Sequence, residues 1–582
     1  MNKIYKVIWS KVKHCYVVTS ELAKRNGKGC GARSLRMAAV TLGVAAALLG
    51  AGHSLFGMPV AEAGQVYVDA SGNIVAKSNK VFNGDNVTWN GETKSITVTQ
   101  GSDNTSIFAF GNISYNSNGT ILNAFPGSDN VTFTVIEGQL VEIHDAPIMV
   151  ITKYPTAMDG YATNKDVSGY SITINNTSDK VLNSVFGGYT LGGAAEINSV
   201  VVNGGTVAAT NPTGAPAGGL VYGGYSETSD NSDSGNVTGN TVTVNSGTVI
   251  ADIYGARTYA KGDSTSGKSG KAENNTVTIE GGSVNGSIFG AYSVADHNTS
   301  GDVTGNKVEI KGGTLKTNSI TFGGKSYSMQ GVRNIYGGST FGKDPDTGDN
   351  SSGIAKDNAV TVSGGTLRDD TRVIGGNSNG SNAEHNTVTI TKTYTGTVGD
   401  VIGGQAQLTA TQNEVGINGG TAKGNVLGAL SYTGTAGGDA AAAGNKATGD
   451  SATVEGNLIG GWGYQGAANY NTVTVKGSTS KIGDANNDNV APVIGGLSGY
   501  YGAGVTSDSP NSGDAKNNTV VIENGTIDGT VYGGASITHS SKKSGDVTDN
   551  KVQIKDGTVN ISVYGGYNRS GSADKAASKN EV

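Results

Sequence analysis

The sequence predicts an all-β chain, a right-handed parallel β-helix (β-solenoid) with variable corner loops, and three observations predict it. Glycine supplies 93 of 582 residues, about twice its usual share, while charged residues are 15% against roughly 25% in an average globular protein. Short runs such as NTVTV alternate apolar and polar residues with the period of a strand. These runs return many times in one internal order but at unequal spacing, which is the mark of a repeat architecture. Val and Thr suit strands, and Gly and Asn suit tight turns. There is no Gly-X-Y period, which excludes collagen.

The clearest copy opens at Asn275 with NTVTIEGGSV and continues into SIFGA. Others open at Asn240, Asn306, Asn358, Asn386, Asn413, Asn471, Asn518 and Asn550, with degenerate copies near Asn198 and Asn445. Each reaches a second apolar run closed by small residues, such as VYGG at 221–224 or VIGG at 493–496. Alternation points Val277 and Ile279 to one face and Thr276 and Thr278 to the other. The following Gly-Gly or Ser-Gly is expected to turn the chain, the next Ser-Val or Thr-Val to start a second strand, and the Ile-Tyr-Gly-Gly-type run to be a third. One such three-strand coil cannot bury Val277, Ile279 and Ile288, whereas stacked coils can. The leading asparagines are expected to form a ladder of stacked amides. Eleven openings, at one per coil and about 4.8 Å each, predict a stack of about 50 Å from residue 198 onward. Openings lie 27 residues apart at Asn386–Asn413 and 52 at Asn306–Asn358. The extra length is polar, as expected of loops that leave a corner without disturbing the stack.

Three segments follow. Residues 1–63 read as an extended, helical signal peptide. Nine Lys/Arg lie in 1–36, an apolar run spans 37–50, and Ala61-Glu62-Ala63 is a small-x-small site predicting cleavage between Ala63 and Gly64. Residues 64–197 keep strand text without the full repeat and read as an N-terminal β cap with first, irregular coils. Residues 198–582 are the repeats. Both cysteines, Cys15 and Cys30, fall in the signal segment. The first 63 residues hold nine of the 41 basic and two of the 47 acidic groups, so the remainder carries a net charge of −13. An acidic chain without a basic patch argues against nucleic acid as a partner.

The opening MNKIYKVIW and the SELAK at 20–24 resemble the extended signal peptide region of large type V secretion proteins. That resemblance implies a Gram-negative route, Sec export followed by passage through an outer-membrane β-barrel translocator, and a passenger similar to adhesins or haemagglutinins at the cell surface or outside it. The last residues, Asn580-Glu581-Val582, repeat Asn413-Glu414-Val415, and no barrel-type strand series follows the repeats. The expectation is a chain interrupted before its translocator; the alternative is a passenger served by a separate barrel.

No catalytic, cofactor or metal site is read from the residues. Strand-face positions lack the recurring acidic pair of polysaccharide-cleaving β-helices. Gly262-Asp263-Ser264 and Gly449-Asp450-Ser451 resemble protease nucleophile text only superficially. His144, His297, His385 and His539 are isolated, and the Asp-rich turns at 344–349 and 484–488 complete no EF-hand. One stripe stands out: Tyr222, Tyr254, Phe289, Tyr336, Tyr532 and Tyr564 hold equivalent places in the third strand, with Ile374, Ile402, Leu427, Ile459 and Ile494 between. It reads either as a core ladder or as an outward line able to stack glycan rings. The function expected is adhesion through a host or bacterial surface glycan or protein. The alternatives are a secreted polysaccharide-active enzyme and a structural spacer or biofilm matrix element.

Overall fold

The computed structural model describes residues 166–582, apart from 176–180, 183, 211–215, 218, 229–231, 262–266, 323–324, 344–349, 440–443, 484–490, 502–509 and 571–576, and only short strands before 166. Two units separate at Pro59 and Val60. In the first, Tyr5–Ser10 pairs antiparallel with Cys15–Ser20. The helix expected of the signal segment is therefore replaced, over this part, by strands. The reason is local: YKVIWS and CYVVTS are dense in β-branched and aromatic residues. The apolar run at 37–50 and Ala63 lie outside the described residues, and Gly64 opens the strand Gly64–Val68.

The second unit is a parallel β-solenoid. The coil that opens at Asn275 shows its grammar. The first face is Thr276–Ile279, a short second segment is Ser283–Asn285, and the third face is Ile288–Ala295. A two-residue fourth segment, Val303–Thr304, then leads to the next asparagine. Each segment pairs parallel with its counterpart one coil away. On the first face Val242, Val277, Val308 and Val360 are register partners in turn, and on the third Ile253, Ile288, Ile335 and Val373. Ser171–Asn175 and Ser184–Leu191 already keep this register with the coil that follows. Upstream, the first-face sheet ends on an antiparallel hairpin, Val87–Asn90 against Ser95–Thr99. These inward valines and isoleucines are 0–1% exposed and form one continuous core cluster. Burying such a side chain contributes about 1.5–3 kcal/mol.

Two details depart from the sequence reading. A coil has four segments, because residues such as Val303 and Ala355 pair with each other in a short ladder of their own. The Gly-Gly pairs of the third face do not end their strand: Gly223 and Gly224 lie inside Gly219–Thr228. The first of each pair is there to make room: a Cβ on Gly375 would lie 2.4 Å from the carbonyl oxygen of Gly403. The second position also takes alanine, since Ala256, Ala291 and Ala429 are register partners of Gly224, Gly338 and Gly404. The corner itself is made just before the asparagine, by a residue in the left-handed region: Asn274, Asp357, His385 and Gln412 have φ of 54–56°.

That corner seats the asparagine ladder. Twelve asparagines stand in line: Asn198, Asn240, Asn275, Asn306, Asn358, Asn386, Asn413, Asn445, Asn471, Asn518, Asn550 and Asn580. Each Nδ2 donates to the Oδ1 of the next at 2.9–3.1 Å. The same Oδ1 accepts the backbone N–H of the preceding asparagine, as from Asn358 to Asn386 at 3.0 Å. The second Nδ2 hydrogen goes to a carbonyl of the fourth segment, as from Asn386 to Ala355 at 2.9 Å. Asn386 and its neighbours Asn358 and Asn413 are 0% exposed. Every donor and acceptor of such an amide is thus used, which is what permits its burial.

A second polar ladder accompanies it. The hydroxyls of Ser234 and Thr258 lie 2.7 Å apart, those of Ser269 and Ser293 2.8 Å, and those of Ser352 and Ser378 3.0 Å. Ser293 and Ser378 also donate to the carbonyls of Gly270 and Gly353.

Removing one rung leaves buried partners unsatisfied, at about 1–3 kcal/mol each. Asn386→Ala is therefore expected to destabilise the stack by at least about 3 kcal/mol in denaturant unfolding. Ser378→Ala, which orphans a smaller set, should cost less. A Gly375→Ala chain, with its Cβ forced against the carbonyl of Gly403, should match the asparagine variant.

Candidate functional site: the outer faces of the stack

The inward residues are committed to the core, so the chemistry the stack offers to solvent rests with outward side chains and corner loops. On the first face the outward residues form hydroxyl-rich columns. One runs Thr243, Thr278, Glu309, Thr361, Thr389, Gly416, Thr448 and Thr474. Ion pairs join successive coils beside it, as between Lys311 and Glu280 at 3.0 Å, and Lys476 and Asp450 at 3.3 Å.

On the third face the stripe of larger side chains stands in register. Phe186, Tyr222, Tyr254, Phe289, Tyr336, Ile374 and Ile402 are partners in turn, then Leu427, Ile459, Ile494, Tyr532 and Tyr564. The aromatic members stack on one another. Tyr222 and Tyr254 centroids are 4.9 Å apart, Tyr254 and Phe289 4.8 Å, Phe289 and Tyr336 5.0 Å, and Tyr532 and Tyr564 5.5 Å, with interplanar angles of 6–19°. Tyr222 and Tyr254 are buried, while Tyr564, last in the column, is 43% exposed. Stacked in this way the rings spend their faces on each other and offer mainly edges and hydroxyls to a ligand. Beyond Phe186, which also packs on the inward core, the column belongs to clusters separate from that core.

A second column lies beside it: Tyr189, Tyr225, Arg257 and Tyr292, and lower down Leu430, Trp462 and Leu497. Tyr222 and Tyr225 face each other with centroids 4.6 Å apart. The pairing skips the first glycine of each Gly-Gly, so the strand bends there and the two columns close on one crease. Arg257 takes the place of a ring. Its guanidinium lies 4.7–5.9 Å from the rings of Tyr225, Tyr254, Tyr259 and Tyr292 and donates to the Tyr222 hydroxyl at 3.2 Å. Such cation–π contacts strengthen as water is excluded. The sequence reading missed this column, because it expects outward residues two apart and the bend sets them three apart.

Of the other singled-out residues, His385 is a left-handed corner residue and His539 bonds the Ser541 hydroxyl through Nδ1 at 2.9 Å. Ser451, also at a left-handed corner, donates to Asp450, which is paired to Lys476. His144 and the turns at 262–264, 344–349 and 484–488 lie wholly or largely outside the described residues.

Comparison with known proteins gives one match. Residues 1–50 match the family described as Extended Signal Peptide of Type V secretion system. No curated protein and no solved structure matches the chain. The N-terminal segment is thus a type V export signal, which directs Sec export to the surface or the extracellular space, and that system implies an outer-membrane translocator associated with the passenger.

Burial pushes the phenols of Tyr394 and Tyr532 up to about 12. The unfolded chain ionises its tyrosines from about pH 10, so the stability they contribute is complete below that pH and is lost as pH climbs toward 12. Unfolding midpoints measured across this window should fall steeply, and the fall should be shallower in Tyr532→Phe.

Proposed function

We propose that this type V secretion passenger is a non-enzymatic adhesin, a stiff stack whose corner loops and outer faces hold host or neighbouring cells. One observation carries the reading: register is indifferent to coil length. Successive asparagines are separated by 26 residues at Asn445–Asn471 and 52 at Asn306–Asn358, yet their amides meet at 3.0 and 2.9 Å. The longest coil spends its excess on a hairpin, Asn318–Phe322 against Lys325–Met329, whose Met329 packs on Ala208 and Ile250 of earlier coils. A scaffold that holds its core constant while loops vary is suited to recognition, since binding residues concentrate on loops borne by a rigid frame.

The export signal supports this reading, because adhesion needs a place on the surface. A chain without cysteine after residue 30 supports it too. Such a chain crosses an oxidising compartment without mispairing and depends on its ladders for rigidity.

The test compares bacteria displaying the whole protein with bacteria lacking it, for attachment to epithelial cells and for autoaggregation. Display is expected to raise at least one of the two. Replacing residues 318–329 by a short Gly-Ser turn is expected to lower it without altering the amount displayed. Equal attachment and aggregation with and without the protein would end the adhesin reading.

A further inference from the structure

Among the described residues, two strand glycines meet no close contact and lie outside the left-handed region: Gly449, at an inward position in register with Ile417 and Val475, and Gly416, at an outward one. The first glycine of each third-face pair is dictated by contact: a Cβ on Gly403 would lie 2.4 Å from the Gly428 carbonyl. Gly416 differs. It lies within the first-face strand Glu414–Ile417, its φ is outside the left-handed region, and an added Cβ would meet nothing nearer than the flexible end of Asn418 at 3.4 Å. Its register partners are Thr389 and Thr448. A threonine would fit there and continue the column. Glycine costs strand stability, and a strand glycine without a steric cause marks a place where something approaches closely.

At Gly416 the outer face carries a half-open recess of about 370 Å³, lined also by Thr387, Thr389, Glu414, Asn418, Thr448 and Lys476. That volume is of the size ligand sites take. All its walls are polar: three hydroxyls, an amide, a carboxylate and an ammonium. Lys476 is already paired to Asp450 at 3.3 Å, and Glu414 is exposed. The recess therefore holds no free cation for an acidic ligand and one carboxylate that repels it. No hydrophobic side chain lines it to hold a lipid or an aliphatic peptide side chain.

We infer that the recess at Gly416 is a binding site for an uncharged saccharide unit of a surface glycan. Hydroxyls of the sugar would exchange hydrogen bonds with the threonines and Asn418, and Glu414 would accept from one of them. This rests on the adhesin reading and names the ligand class of one face.

The test is Gly416→Thr, which intrudes on the floor of the recess while restoring the column. The exported chain and its variant are applied to an array of neutral hexose and N-acetylhexosamine oligosaccharides together with sialylated and uronic-acid glycans. The wild type is expected to bind neutral glycans. Gly416→Thr should bind them at least tenfold more weakly, although its thermal midpoint rises by about 1–3 °C, as the β-propensity gain implies. Glu414→Gln, which leaves the backbone untouched, should weaken the same glycans. Binding of acidic glycans only, binding of none, or undiminished binding by Gly416→Thr would overturn the site. Cell attachment is measured in parallel: attachment by a chain that binds no neutral glycan overturns this site alone, whereas absence of attachment overturns the adhesin reading itself.

Discussion

The fold depends on a buried amide that can be satisfied only by its own image one coil away. Asn386 gives its Nδ2 hydrogens to Asn413 and to Ala355, and its Oδ1 takes the Nδ2 and the N–H of Asn358. Shifted by one residue, the same amide would be an orphan in a dry interior, at a cost far above that of a misplaced valine. The apolar core supplies most of the stabilisation and little of the register, because Val and Ile at alternate positions pack almost as well two residues out of step. The ladder supplies the register.

Several features follow from seating that amide. The left-handed corner residue before it aims the asparagine inward. The first glycine of each third-face pair clears room for the next coil's backbone beside it. The bend at this glycine then brings the two outward aromatic columns together, which is why Tyr222 and Tyr225 stack although three residues apart. The Ser-Gly corner six residues before many of the asparagines, as at Ser269 and Asn275, closes the coil with a second column of hydroxyls. With both ladders in place, loops of unequal length leave the stack freely, and that freedom makes it a useful frame for a surface protein.

Much of this was legible in the sequence. NTVTV declares its inward and outward residues by alternation, and an asparagine recurring at the head of each such run signals a ladder. The stripe from Tyr222 to Tyr564 was legible because register preserves equivalent positions. The fourth segment was not. Two residues such as Val303–Thr304 are too few to show a period, and the sequence cannot tell glycines that clear space from glycines that turn. The column through Tyr225 and Arg257 was hidden for a related reason, since a bend inside a strand shifts which residues face outward. The basic segment misled in the opposite direction: its place in a signal peptide suggested helix, while its β-branched and aromatic residues pair as strands. The recess at Gly416 was hidden because a glycine in strand text gives no sign of whether a Cβ in its place would strike a neighbour.

The chain has no cysteine after residue 30, so paired cysteines can read the register directly. Thr361 and Thr389 are register partners on adjacent coils, whereas Thr361 and Gly416 are two coils apart. Parallel neighbours at about 4.8 Å are within disulfide reach and positions at twice that distance are not. Mild oxidation of the exported chain should therefore cross-link Thr361→Cys with Thr389→Cys nearly completely and leave Thr361→Cys with Gly416→Cys reduced. Equal cross-linking of both pairs, or of neither, would contradict a stack held in fixed register by its asparagines.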